Sequence, residues 1–248
     1  MNEVKIKGIL PPHIKNIMDG NNMTIVGADS YGDHYLFDDN GILSMVTQKM
    51  IERKERPLFI DLEKLLKYHQ KKKYSINKEL LAKALGRGEL RKSKVYDLTC
   101  GMGNDLALML SFGVKEICAF ERDPYVFLLL YDAWKRAGLC GMQTMKLYYG
   151  NYLGDEESFS TTGDIMYFDP MFEHLEKRKS LQKKEMRIFQ EVIPNSDFEL
   201  NLFPKFKKSP FFKLIIKRPL RGETYLGEEP SCSFRGKSVR YDVYLKAR

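Results

Sequence analysis

The chain is poor in the residues from which metal centres and disulfide frames are built. Its 248 residues include four cysteines and four histidines. Cys100, Cys118, Cys140 and Cys232 form no C-x-x-C pair and have no histidine at ligand spacing, so neither a zinc site nor a disulfide frame is indicated and no metal is expected. Cys100 and Cys118 lie in apolar strand-end contexts and read as small buried hydrophobes. His13 and His34 lack nearby partners of metal-binding type. No apolar run approaches the length that crosses a bilayer, and no membrane partner is expected. The start Met1-Asn-Glu-Val-Lys lacks the basic and apolar blocks of a secretory signal, so the expected compartment is the cytoplasm. What is present is 43% apolar residues, enough for one large core, either as one elaborated domain or as a core domain with an appendage. The net charge of +8 favours a polyanionic partner.

One stretch organises the rest. Val95-Tyr-Asp97-Leu-Thr99-Cys-Gly101-Met-Gly103-Asn104-Asp105 is an apolar run that stops at an acid and breaks into two closely spaced glycines, followed by the helical pattern Leu106-Ala-Leu-Met-Leu110. This is the first turn of a βαβ nucleotide-binding unit, in which Gly101 and Gly103 permit close ligand approach. The third glycine of a dinucleotide fingerprint would fall at Leu106, and Asp97 and Asp105 would repel a pyrophosphate. S-Adenosylmethionine, which carries an ammonium and a sulfonium and no phosphate, suits these acids better. A second strand, Glu116–Phe120, ends at Glu121, about where an acid meets ribose hydroxyls in nucleotide-binding sheets. The competing reading is an ordinary loop in another α/β domain.

Residues 1–58 alternate short apolar stretches with turn chemistry at Pro11-Pro12, Asp19-Gly20 and Asn40-Gly41, which predicts a small antiparallel sheet as an N-terminal β-rich extension. Residues 59–248 then form the main domain. Helices are expected from Asp61, from Asn77 to a closing Gly86, and from Asp123-Pro124 to about Ala137; strands are expected at Met145–Tyr149, Asp164–Phe168, Phe211–Ile216 and Val239–Leu245. The tract from Leu220 to Lys237 reads as a loop. The amide of Asn151, just beyond a strand end, is placed to hydrogen-bond an adenine edge, although Gly150-Asn151 also reads as a plain turn.

The second stretch with chemistry is Asp169-Pro170-Met171-Phe172, at the end of the Asp164–Phe168 strand. Asp-Pro-x-aromatic suits methyl transfer to an exocyclic amine on a planar ring, whose delocalised lone pair makes it a poor nucleophile. A carboxylate or carbonyl accepting its N–H bonds stabilises the charge that develops as the methyl arrives. Pro170 fixes the turn, and Phe172 offers a face for an extruded base.

These residues together resemble the RsmJ (YhiQ) group of bacterial ribosomal RNA methyltransferases. The likeness rests on Asp97 to Asp105, Glu121-Arg122, Asp169-Pro-Met-Phe172 with His174, the run Lys183-Lys184-Glu-Met-Arg187-Ile-Phe-Gln190, Ile216-Lys217-Arg218-Pro219 and Arg240-Tyr-Asp-Val-Tyr244, and spans about residues 59–244. The resemblance implies an α/β, class I S-adenosylmethionine-dependent methyltransferase fold with a Rossmann-like doubly wound sheet. It also implies methylation of a guanine 2-amino group in small-subunit rRNA, free or in the assembled small subunit. It carries cofactor contacts onto Asn104, Asp105, Glu121, Arg122, Asn151, Tyr152 and Asp169, beside Asp97, Gly101 and Gly103. The chain departs from the group at Asn104, usually Arg, at Asn151-Tyr152, usually a serine pair, and at Tyr74–Asn77, usually a glycine-rich turn. Residues 1–58 show no match to it.

Lys71, Lys72, His174, Lys183, Lys184, Arg187, Lys217 and Arg218 are the candidate RNA contacts, placed to meet phosphates flanking a flipped base; a solvated charged face is the competing reading. Two other functions share these motifs: an N6-adenine methyltransferase acting on RNA or DNA, and a non-catalytic RNA-binding module on the same scaffold.

Overall fold

The structure, a computed structural model, describes residues 2–27, 34–72, 76–139, 144–151, 164–170, 187–188 and 202–246. These residues fall into two compact units.

The first unit holds residues 2–63 and 122–139, with Arg187 and Ile188. Its elements are β1 (Asn2–Ile6), α1 (Pro12–Gly20), β2 (Met23–Gly27), β3 (His34–Asp39), β4 (Ile42–Thr47) and α2 (Gln48–Glu52). The strand order is β2-β1-β3-β4, with β1 parallel to both neighbours and only β3 and β4 antiparallel. The expected antiparallel sheet is therefore a mixed one. The difference comes from Pro11-Pro12 and Asp19-Gly20, which bound a helix instead of two turns. Pro12 stands in the first helical turn, and Ile14 and Met18, one turn apart, are fully buried, so α1 carries the chain from β1 back to a parallel neighbour. The Asn40-Gly41 hairpin forms as expected, with φ of +54° and +84° and the Gly41 N–H donating to Asp38 Oδ1 at 2.8 Å.

The same unit contains α6 (Pro124–Arg136), which packs against β1, β4 and α1. Asp123 caps it, accepting from the Tyr125 and Val126 N–H groups at 3.0 Å each. On its inner face Asp132 is fully buried and satisfied by the Leu43 N–H, His13 Nε2 and Arg136 Nε at 3.2, 3.0 and 2.7 Å.

The second unit holds α3 (Leu62–Lys71) from Lys64 onward, α4 (Leu80–Leu85), β5 (Lys94–Asp97), α5 (Asn104–Ser111), β6 (Glu116–Glu121), β7 (Met145–Tyr149), β8 (Ile165–Phe168), α7 (Leu202–Lys208), β9 (Lys213–Pro219), β10 (Cys232–Arg235) and β11 (Val239–Leu245). They form a seven-stranded sheet in the order β10-β11-β9-β8-β5-β6-β7. Every pairing is parallel except those of β11, which is antiparallel to β9 and β10. The chain runs outward from β5 through β6 and β7, then returns to the other side of β5 for β8 and β9. That reversal opens a crevice at the C-terminal ends of β5 and β8, where ligands bind in open α/β sheets. The central strands are apolar on both faces, as covered parallel strands are; Tyr96, Phe168, Phe211, Leu214 and Ile216 form part of one buried cluster. Lys213 Nζ donates to the Leu85 carbonyl at 2.7 Å and closes the C-terminus of α4, beside Gly86 at a φ of +95°. Strand β10 lies where a loop was expected. It is an edge strand with no buried residue, so it shows no apolar alternation.

Candidate active site

β5 delivers Asp97 to the crevice, and the loop Leu98–Gly103 leads into α5. Gly101 and Gly103 take φ values of +54° and +77°, left-handed conformations that favour glycine. A Cβ on Gly101 would find no heavy atom nearer than the Thr99 carbonyl oxygen at 4.0 Å, so that side of the loop is open. Glu121, the last residue of β6, accepts from the Gly101 N–H through Oε2 at 2.9 Å. The Cys100 N–H donates to the Phe120 carbonyl at 3.0 Å, and the Gly150 N–H to the Glu121 carbonyl at 2.8 Å. The ends of β5, β6 and β7 are thus tied around one loop. Asp97 is buried and accepts from the Thr99 N–H at 3.2 Å; burial pushes its carboxyl well above the usual range.

This donor set fits S-adenosylmethionine. Two buried acids stand at adjacent strand ends, the glycine loop is open beside Gly101, and residues 98–104 contain no lysine or arginine to receive a pyrophosphate. Asp97, Gly101, Gly103 and Glu121 are the residues that would hold the nucleoside.

The β8 turn is brought to the same place by register. Asp97 pairs with Tyr167, and Phe168 pairs with Ile216, so Asp169 and Lys217 emerge side by side. The Asp169 N–H donates to Thr99 Oγ1 at 2.8 Å, which fastens the Asp169-Pro170 turn to the glycine loop. Lys217 Nζ lies 2.9 Å from Asp169 Oδ2 and 2.8 Å from Asp105 Oδ2, and the Tyr167 hydroxyl donates to the same Asp105 oxygen at 2.7 Å. The Asp169 side chain is 30% exposed, and its Oδ1 makes no hydrogen bond among the described residues. Burial pushes the Asp169 carboxyl up to about 6; Lys217 opposes the rise and Asp105 adds to it. Burial alone would raise Asp105 too, but Lys217 and the Tyr167 hydroxyl hold it below the ordinary carboxylate range.

The remaining expected contacts are dispersed. Asn104 is exposed at the first position of α5, Arg122 follows β6 half-buried, Asn151 is exposed beyond β7, and Pro170 is buried. Lys71 and Lys72 are exposed, with the Lys72 ammonium 4.5 Å from the Tyr68 ring centre. Arg187 forms an ion pair with Glu55, and Arg218 donates to the Glu223 carbonyl at 2.9 Å. Lys217, expected among the RNA contacts, bonds the two acids. Tyr152, Phe172, His174, Lys183 and Lys184 lie outside the described residues. Sequence reasoning missed Thr99 and Tyr167 altogether; only their strand-end positions flanking the two motifs marked them. Among the described residues no group of three or more His, Cys, Asp and Glu is placed to hold a metal, and no helix is long and apolar enough to cross a membrane.

A seven-stranded sheet with antiparallel β11 inserted beside β9, and an acid-flanked glycine loop at its reversal point, define a class I S-adenosylmethionine-dependent methyltransferase. The family described as putative SAM-dependent methyltransferase matches residues 26–246, so the likeness begins inside the N-terminal extension rather than after it. Ribosomal RNA small subunit methyltransferase J of Alteromonas mediterranea is 32% identical over 215 residues, 85% of this chain and 82% of that protein. The protein of the same name from Shewanella amazonensis is 31% identical, over 85% of this chain and 89% of its own length. The crystal structure of a SAM-dependent methyltransferase from Neisseria gonorrhoeae, 23% identical, shares the fold with a TM-score of 0.71 over 98% of this chain and 96% of that one. The chain belongs to the ribosomal RNA small subunit methyltransferase J family.

Proposed function

We propose that this protein methylates the exocyclic 2-amino group of a guanine in small-subunit rRNA. S-Adenosylmethionine, when bound, supplies a methyl group on a positively charged sulfur. The reading rests on one observation: Asp169, fastened to the glycine loop through Thr99, presents an oxygen, Oδ1, that has no partner among the described residues. That oxygen is an acceptor for an amine N–H. By accepting it, Asp169 orients the amine, favours a more tetrahedral nitrogen and offsets the positive charge that develops there. Pro170 holds the turn in which the carboxylate stands, and the nitrogen's surplus proton leaves after transfer, with Asp169 as its first acceptor. The rRNA substrate is supported by relatives named as ribosomal RNA small subunit methyltransferases and by the net charge of +8.

Transfer of tritiated methyl to small-subunit rRNA, with the modified base identified after nuclease digestion, tests the reading. N2-methylguanine is expected, and Asp169→Ala is expected to lower turnover by about a thousandfold or more while S-adenosylhomocysteine still binds. Label recovered in N6-methyladenine would replace guanine by adenine as the target. Failure to bind S-adenosylhomocysteine or transfer label would leave a non-catalytic RNA-binding module.

A further inference from the structure

Lys217 closes the apolar run of β9, where a lysine at a strand end ordinarily extends its ammonium into water. Here the side chain is 22% exposed and turned inward, with its single ammonium bonded to both Asp105 and Asp169. Two carboxylates against one ammonium leave the cluster with an excess negative charge, an arrangement that an ion pair serving stability alone does not require. The ammonium engages only Oδ2 of Asp169, and the Asp169 side chain is 30% exposed, so Oδ1 has no hydrogen-bond partner among the described residues.

We infer that Lys217 is a positioning residue for methyl transfer: it holds the Asp169 carboxylate in one orientation through Oδ2 and keeps Oδ1 available as an ionised acceptor for the substrate amine. The inference rests on the role proposed above for Asp169 and extends it to a residue that touches neither substrate nor cofactor. The charged and titratable groups around Asp169 come from six elements. Asp97 ends β5, Asp105 stands in the first turn of α5, Tyr167 lies in β8, Tyr241 in β11 opposite Lys217 itself in β9, and His69 of α3 interacts with Asp105. Of these only Lys217 and Asp105 act strongly on Asp169, and they act in opposite directions. Without the ammonium, two carboxylates would share one site and one would retain a proton toward neutral pH. A protonated Asp169 carries no negative charge to offset the one developing on the amine.

The test is the pH profile of methyl transfer to small-subunit rRNA, from about pH 5 to pH 9, for the wild type, Lys217→Gln, Lys217→Arg and Asp169→Asn. Lys217→Gln keeps a hydrogen-bond donor of similar reach and removes the charge. It is expected to lose about 30-fold or more at pH 7, to move the acid limb upward by roughly one unit or more, and to recover in part toward pH 9. Lys217→Arg keeps the charge, and its acid limb is expected within about 0.3 units of the wild type even where its rate is lower. Titration with S-adenosylhomocysteine is expected to give affinities within about threefold for the wild type and the two Lys217 variants, since Lys217 does not belong to the glycine loop. An acid limb unchanged in Lys217→Gln overturns the inference, whatever happens to the rate. If that variant does not fold, an acid limb displaced by more than about half a unit in Lys217→Arg overturns it instead. Wild-type rates in Asp169→Asn would remove the reading of Asp169 itself, and so separate its failure from that of the Lys217 inference.

Discussion

At the scale of the residue, the site combines groups that help function and burden the fold. Asp97 and Asp169 are both held above the ordinary carboxylate range by burial, and Asp169 reaches about 6. A carboxyl whose folded pKa is raised binds its proton more tightly in the native state. Ionising it therefore costs stability as pH rises from the unfolded value near 4 through about 6, and the cost persists above that. Asp169→Asn removes this burden. The variant is expected to be more stable than the wild type at pH 8 by about 1–3 kcal/mol, with no advantage at or below about pH 4, as read from urea unfolding at both values. The same variant is expected to be inactive, a trade of stability for chemistry typical of active sites. Equal stabilities at pH 8 would show that the Lys217 ammonium fully compensates the burial of the carboxylate. That Asp97, Glu121 and Asp169 end strands beside one loop was legible from the chain, because each stands near a turn marked by Gly or Pro. Thr99, Tyr167 and the inward role of Lys217 were not, because they depend on which strand lies beside which: Asp97 opposite Tyr167 and Phe168 opposite Ile216 are facts of register.

At the scale of the element, the buried parallel strands could be read because their apolar runs are bounded by turn residues: β6, β7 and β11 run as expected to within a residue. Elements whose stabilisation comes from outside their own pattern were missed. β10 has no buried face, and α1 is short and bounded by residues that equally suit turns. The loop between β5 and α5 belongs to the legible class, and its geometry carries a direct expectation. Gly101 has a φ of +54°, and a Cβ there would project into the open side of the loop. Gly101→Ala is expected to lower stability by about 1–2 kcal/mol from backbone strain. It is also expected to weaken S-adenosylhomocysteine binding by about tenfold or more, the equivalent of about 1.4 kcal/mol. Calorimetric titration and thermal unfolding on the same sample check both. Unchanged affinity with lowered stability would place the cofactor elsewhere than on the glycine loop.

At the scale of the whole molecule, the excess of positive charge bears on the substrate more than on the fold. The 41 lysines and arginines outnumber the 33 acids, yet the crevice itself is acidic: it holds Asp97, Asp105, Glu121 and Asp169, and the Lys217 ammonium bonds two of them. The site at the strand ends therefore suits a cationic cofactor and a neutral base, while phosphate contacts fall to exposed basic side chains outside that cluster. We propose Lys71 and Lys72, exposed at the end of α3, for this role. Binding of a single-stranded segment through phosphates alone releases counterions, and the affinity then falls with salt with a slope of about −0.7 per phosphate contacted. With about four to six contacts the dissociation constant for small-subunit rRNA is expected to rise roughly 50- to 300-fold between 50 and 200 mM salt, while that for S-adenosylhomocysteine changes little. Replacing Lys71 and Lys72 together by glutamine is expected to reduce the magnitude of that slope by about 1.4 and to weaken binding uniformly across sequences. Fluorescence anisotropy over a salt series measures both quantities, and a slope unchanged in the double variant would remove α3 from the RNA contact.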